Sequence, residues 1–61
     1  MTIYDFLIEY DRAKDKFYLS KGGELIQTFY GDWALKEFLN DEYGLNGPQV
    51  ASAIYNAEEV A

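Results

Sequence analysis

The side chains able to do chemistry in this chain are carboxylates and phenols. From residue 37 to the last residue there are five acids, Glu37, Asp41, Glu42, Glu58 and Glu59, and no base. Tyr43 and Tyr55 lie among them, and Trp33 just ahead. Carboxylates serve as a general acid–base pair, as ligands for a hard cation, or as fixed negative charge facing a cationic partner. The first use needs a cleft that isolates the pair from water, which a chain of 61 residues rarely builds. With no His and no Cys, the common activated nucleophiles are absent, and Ser20 and Ser52 have no base near them in sequence. Gly22-Gly23 lacks the Lys and Ser/Thr that complete a phosphate-binding loop. The stretch "NDEYGLNGPQVA" lacks the alternating oxygen ligands and final Glu of a calcium loop. The expectation is a protein that is not an enzyme and holds no metal and no cofactor, which leaves charge presentation.

Elements that would position these acids follow from periodicity. "TIYDFLIEYD" alternates with period two, placing Tyr4, Phe6, Ile8 and Tyr10 on one face and Ile3, Asp5, Leu7, Glu9 and Asp11 on the other. The polar "RAKD" suits a turn, and "KFYLSK" resumes extended character. Gly22-Gly23 supplies the positive φ values of a tight hairpin. Lys21 is then expected opposite Glu24, Leu19 opposite Ile26 and Phe17 opposite Thr28, with "ELIQTFY" as the third strand. After Gly31 the period becomes helical. Asp32 is expected to cap "WALKEFLNDEY", and Gly44 to end it in a left-handed Schellman turn in which Leu45 touches Leu39. Asn46 or Gly47 caps a second helix with Pro48 in its first turn and Val50, Ala53, Ile54 and Ala57 as its inner stripe. The predicted fold is α+β: a three-stranded antiparallel β-meander (residues 1–30) followed by two helices (32–60) packed on one face, in one domain spanning residues 1–61.

Size constrains the core. A chain this short hides only ~60% of the surface it exposes when unfolded. Eleven aromatics are expected to make its core dense, each able to bury roughly 150–250 Å². No disulfide or zinc staple is available without Cys or His. "TIYDFLIEY" has no basic leader region and no long apolar run, so a cytoplasmic protein with no membrane segment is expected.

The formal charge is −6. Five acids and four bases nearly cancel in residues 1–30, whereas residues 31–61 oppose six acids with Lys36 alone. Such a field repels polyanions and attracts a basic surface; it also keeps a small protein in solution. "DEYGLNGPQVASAIYNAEEV" has the outline of a helix-turn-helix, but its second helix carries no cation for phosphates, and Asn40 stands where close helix packing wants a small apolar residue. Direct nucleic-acid binding is therefore not expected. Base stacking on Tyr4, Tyr10 or Tyr18 is opposed by Asp5, Glu9 and Asp11, which crowd the first strand. The acids break a local rule: Asp41, Glu42, Glu58 and Glu59 sit in the last turns of two helices, the negative ends of their dipoles. Glu37 and Asp41 form a like-charge pair four residues apart. Local conflicts of this kind cluster where function is served.

Acids about 5–6 Å apart on a helix approximate the spacing of charge along a nucleic-acid strand. In size, acidity and α+β outline the chain resembles the small acidic anti-defence proteins of phages and mobile elements, including anti-CRISPR proteins that occlude a DNA channel. The charge pattern itself leads to the expectation of a small inhibitor or adaptor that presents Glu37, Asp41, Glu42, Glu58 and Glu59 to a basic, nucleic-acid-binding site of a larger protein, and the resemblance implies that such a protein acts in the host cytoplasm. Tyr43, Tyr55 and Trp33 are expected as the aromatic anchors beside them. The alternative is a structural or accessory subunit that binds through apolar surface, by homodimerisation or by strand pairing at the edge of the meander.

Overall fold

Gly22 and Gly23 both take positive φ, 60° and 83°, the pattern of a two-residue hairpin turn whose twist matches its strands. In the computed structural model, which describes residues 2, 3 and 5–61 with only the backbone of Thr2 and Ile3, this turn joins β3 (Lys16–Lys21) to β4 (Glu24–Phe29). β2 (Phe6–Asp11) lies on the other side of β3, and the three six-residue strands form the antiparallel meander. Between β2 and β3, the Asp11 carboxylate accepts from the N–H groups of Ala13 and Lys14 at 3.1 and 3.3 Å. Asp15 closes that turn at φ 52°, a left-handed conformation that Asp tolerates better than most residues.

The first strand is shorter than its alternation predicts. Asp5 takes φ 71°, and the chain reverses so that a two-residue strand β1 (Thr2–Ile3) pairs with β2, Ile3 opposite Phe6 and Thr2 opposite Leu7. From Phe6 onward the expected alternation holds: Phe6 and Ile8 are buried, Tyr10 is half-buried, and Leu7 and Glu9 are exposed. Tyr4 lies outside the described residues. The β3–β4 register also departs from expectation. Lys21 faces Glu24, but a bulge shifts the ladder so that Leu19 faces Gln27 and Phe17 faces Phe29. One extra residue on the bulged strand changes which side chains point inward, so Ile26 and Phe29 both reach the core.

Helix α1 (Asp32–Tyr43) begins one residue earlier than expected. Gly31, not Asp32, is the N-cap, with no side-chain capping bond. A Cβ on Gly31 would lie 3.3 Å from the Trp33 ring, so the indole occupies the space that a capping side chain would need. Asp32 instead sits in the first turn, where a negative charge still complements the dipole, 3.6 Å from Lys36. Gly44 ends the helix at φ 67°. Its N–H donates to the Asn40 carbonyl and that of Leu45 to the Leu39 carbonyl, each at 3.0 Å. The first bond is that of the αL ending rather than of the expected Schellman pair. Helix α2 (Pro48–Val60) follows as predicted, with Gly47 at the N-cap and Val50, Ala53, Ile54 and Ala57 buried.

Both helices pack against the same side of the sheet, α2 over β2 and β1, and α1 over β4. The core joins Phe6, Ile8, Phe17, Leu19 and Phe29 to Leu35, Leu39 and the α2 stripe. It is less aromatic than composition suggests. Among the described residues the buried rings are phenylalanines, whereas Tyr30, Trp33, Tyr43 and Tyr55 are exposed. The reason is that a buried O–H or indole N–H needs a hydrogen-bond partner, and among the described residues the core contains no buried polar or charged residue. Among the described residues no helix is long and apolar enough to cross a membrane.

Candidate functional site

Helical geometry places Trp33, Glu37 and Asp41 along one flank of α1, because residues four apart stack on a helix surface. That flank faces β4. Together with Glu42 they wall a surface groove of about 470 Å³, floored by Gln27 and Phe29 of β4 and by Ala34 and Phe38 of α1. Phe38 packs on Phe29, with ring centroids 5.3 Å apart, so apart from Gln27 the floor is apolar. Trp33, 68% exposed, is steadied against Gly31 at the mouth. Among the described residues no cation lies within 4.0 Å of the carboxylates of Glu37, Asp41 or Glu42, while Lys36 pairs with Asp32. The groove thus combines an apolar floor, an indole and uncompensated negative charge.

The other predicted residues lie elsewhere. Helix α1 ends beside one end of the β2–β3 ladder: the Tyr43 ring meets Phe6 at 4.7 Å, and Phe6 pairs with Lys21. Helix α2 ends beside the other, where Arg12 follows the Asp11–Lys16 pair. A strand of this length separates the two ends by roughly 17–20 Å. Tyr55, Glu58 and Glu59 surround Arg12 there. The Arg12 guanidinium donates to the backbone carbonyl of Glu58 at 2.7 Å and more weakly to that of Ala61 at 3.5 Å. A cation on the last carbonyls of a helix satisfies them and offsets the negative dipole end. The Tyr55 phenol is held above its ordinary pKa, chiefly by its hydrogen bond to Glu59 and secondarily by desolvation. The five acids therefore form two separate groups, and beside the second Arg12 bonds the backbone carbonyls of the helix end.

Tyr43 belongs to the seam rather than to either group. Its ring packs on Phe6 and, at 6.0 Å, on Phe38, and the Lys21 ammonium lies 5.7 Å from its centroid. Sequence reasoning missed Arg12 because its contact spans 46 residues. It also missed the groove floor, because the bulge brings Phe29 inward and places it beside Ala34 and Phe38 of α1. Asn40, unfavourable for a helix-turn-helix, accepts from the Asn46 side-chain amide at 2.9 Å and ties the interhelical loop. Among the described residues no three carboxylates converge as a metal site would require. Comparison with family models, curated proteins and solved structures finds no match for this chain.

Proposed function

We propose that the protein is a protein-binding inhibitor or adaptor that presents Glu37, Asp41 and Glu42, beside Trp33, to a basic, nucleic-acid-binding site of a larger protein, in the manner of anti-CRISPR-type nucleic-acid mimics. The observation that supports this reading is the groove wall, where among the described residues three carboxylates stand without a cation around a largely apolar floor. Charge of one sign steers a basic surface toward the groove, and the desolvated indole and Phe38 supply the contact energy that ion pairs alone do not. Tyr55, Glu58 and Glu59 lie at the far end of the sheet and contribute to the overall field rather than to the contact.

The test is capture from a host lysate at low and high salt by wild type and by the Glu37→Gln/Asp41→Asn/Glu42→Gln variant, with duplex DNA added as competitor. The expected partner is retained by wild type at low salt, released by salt and by DNA, and lost by the variant. Equal recovery by both proteins at either salt discards the reading. A second reading, an accessory subunit binding through apolar surface, is favoured by Leu25 and Tyr30, which are 55% and 75% exposed. It predicts capture that survives high salt.

A further inference from the structure

The groove has a feature that fixed charge does not use: the strand that floors it is the free edge of a sheet. The strand order β1-β2-β3-β4 leaves β4 at the margin, and among the described residues no loop or helix bonds to its outer backbone groups. The opposite margin is blunted, since β1 is only two residues long. β4 is six residues long, contains no Lys or Pro, and carries its one charge, Glu24, at its first position. A short strand, a lysine or a proline is what normally protects an edge from pairing with another chain. The bulge twists the strand at its Leu25 end, so the regular stretch available for pairing is Gln27–Phe29, the part that floors the groove.

We propose that the occupant of this groove is an extended basic segment of the partner protein, which adds to β4 as a further strand. A strand placed about 4.8 Å outside Gln27–Phe29 points every second side chain toward α1. An apolar side chain at the central inward position meets Phe38 and Trp33. Lys or Arg at the neighbouring inward positions then faces the carboxylates of Glu37, Asp41 and Glu42. A helix placed there leaves the outer N–H and C=O groups of β4 unpaired, whereas a strand satisfies them. Charge thus selects the segment and the open edge selects its extended conformation. This inference rests on the acidic-surface reading above and adds to it the chemistry and shape of the bound segment.

The probe is the capped peptide Thr-Arg-Thr-Leu-Thr-Arg-Thr, compared with the same peptide N-methylated at alternate amides, which keeps every charge and side chain but removes strand pairing. Trp33, the only tryptophan, reports occupancy by fluorescence, and amide shifts of residues 27–30 report pairing along β4. The unmodified peptide is expected to perturb both, the N-methylated peptide to bind about tenfold more weakly, and the Glu37→Gln/Asp41→Asn/Glu42→Gln variant to weaken binding by a similar factor. Equal binding of the two peptides, or shifts confined to α1, overturns strand addition while leaving the acidic-surface reading intact. Absence of peptide binding combined with charge-dependent, DNA-competed partner capture has the same meaning. Undiminished peptide binding by the variant overturns the charge selection and, with equal lysate recovery, the underlying reading as well.

Discussion

The two helix ends violate the same rule and resolve it differently. Both α1 and α2 finish with acidic residues and neither has a base in its last turn. At α2 the missing cation arrives from the β2–β3 turn, where Arg12 reaches the Glu58 carbonyl at 2.7 Å. At α1 the backbone is closed by a left-handed glycine, and Lys21 stands over the Tyr43 ring rather than against a carboxylate. A local conflict in sequence is therefore not yet a functional signal. The two ends differ in that, among the described residues, the backbone carbonyls of α2 are bonded by a cation and those of α1 are not.

The comparison can be broken most forcefully beneath α1. Leu39, fully buried under the last turn, anchors an end that has no charged clasp. Leu39→Ala is expected to cost about 2–5 kcal/mol, a large part of the roughly 3–9 kcal/mol total stability of a domain this size, read as a collapse of the thermal midpoint by circular dichroism. An unchanged midpoint contradicts the packing described here. Gly44→Ala forces an L-residue into φ 67° and is expected to cost about 1–2 kcal/mol, measured by urea unfolding. A loss below a few tenths means that the turn re-forms without its left-handed residue.

Arg12→Ala removes the clasp from α2 and is expected to cost about 1 kcal/mol, or roughly 4–8 °C in midpoint. Hydrogen exchange should accelerate in the last turn of α2 and stay unchanged at the end of α1. Equal acceleration at both ends erases the distinction between them. The Glu37→Gln/Asp41→Asn/Glu42→Gln variant should be as stable as wild type or more so by a few tenths of a kcal/mol, because it relieves a like-charge pair. Destabilisation would reveal a structural role for those carboxylates.

The smallest effect is spectroscopic. Tyr55 is raised by its bond to Glu59 and Tyr10 by its 2.6 Å bond to Asp15. A raised folded pKa favours the neutral phenol, so the contribution is present in full below the ordinary value of about 10 and is lost as pH rises through the folded value. Glu59→Gln should return Tyr55 toward the ordinary phenol value, seen in the alkaline tyrosinate titration, with Tyr10 unmoved. A titration identical to wild type would show that the phenol does not depend on Glu59.

Local chemistry was sufficient to read most of the scaffold. Gly22-Gly23 dictated the hairpin because only residues free of a Cβ accept two successive positive φ values cheaply. The change from period two to period 3.6 after Gly31 marked the passage from sheet to helices, and Pro48 with the Val50, Ala53, Ile54 and Ala57 stripe defined α2 almost to the residue. The errors fell where several local solutions compete. Asp5 permitted a reversal that alternation alone conceals, and Gly31 took the cap from Asp32 because the Trp33 ring lies against it. The aromatic anchors were half legible: exposure of Trp33 follows from its polar edge, but its seat at the mouth of a groove does not.

The sequence by itself determined the order of the three long strands and two helices, the turns at Gly22-Gly23 and Gly44, the inward stripe of α2 and the surplus of negative charge, because each depends on residues within a few positions of one another. Only the tertiary structure decided the bulged register that brings Phe29 inward, the division of the acids between two ends of the sheet, and the pairing of Arg12 with a carbonyl 46 residues away. Those outcomes depend on which distant surfaces meet once the core has closed, and nothing in the local pattern carries that information.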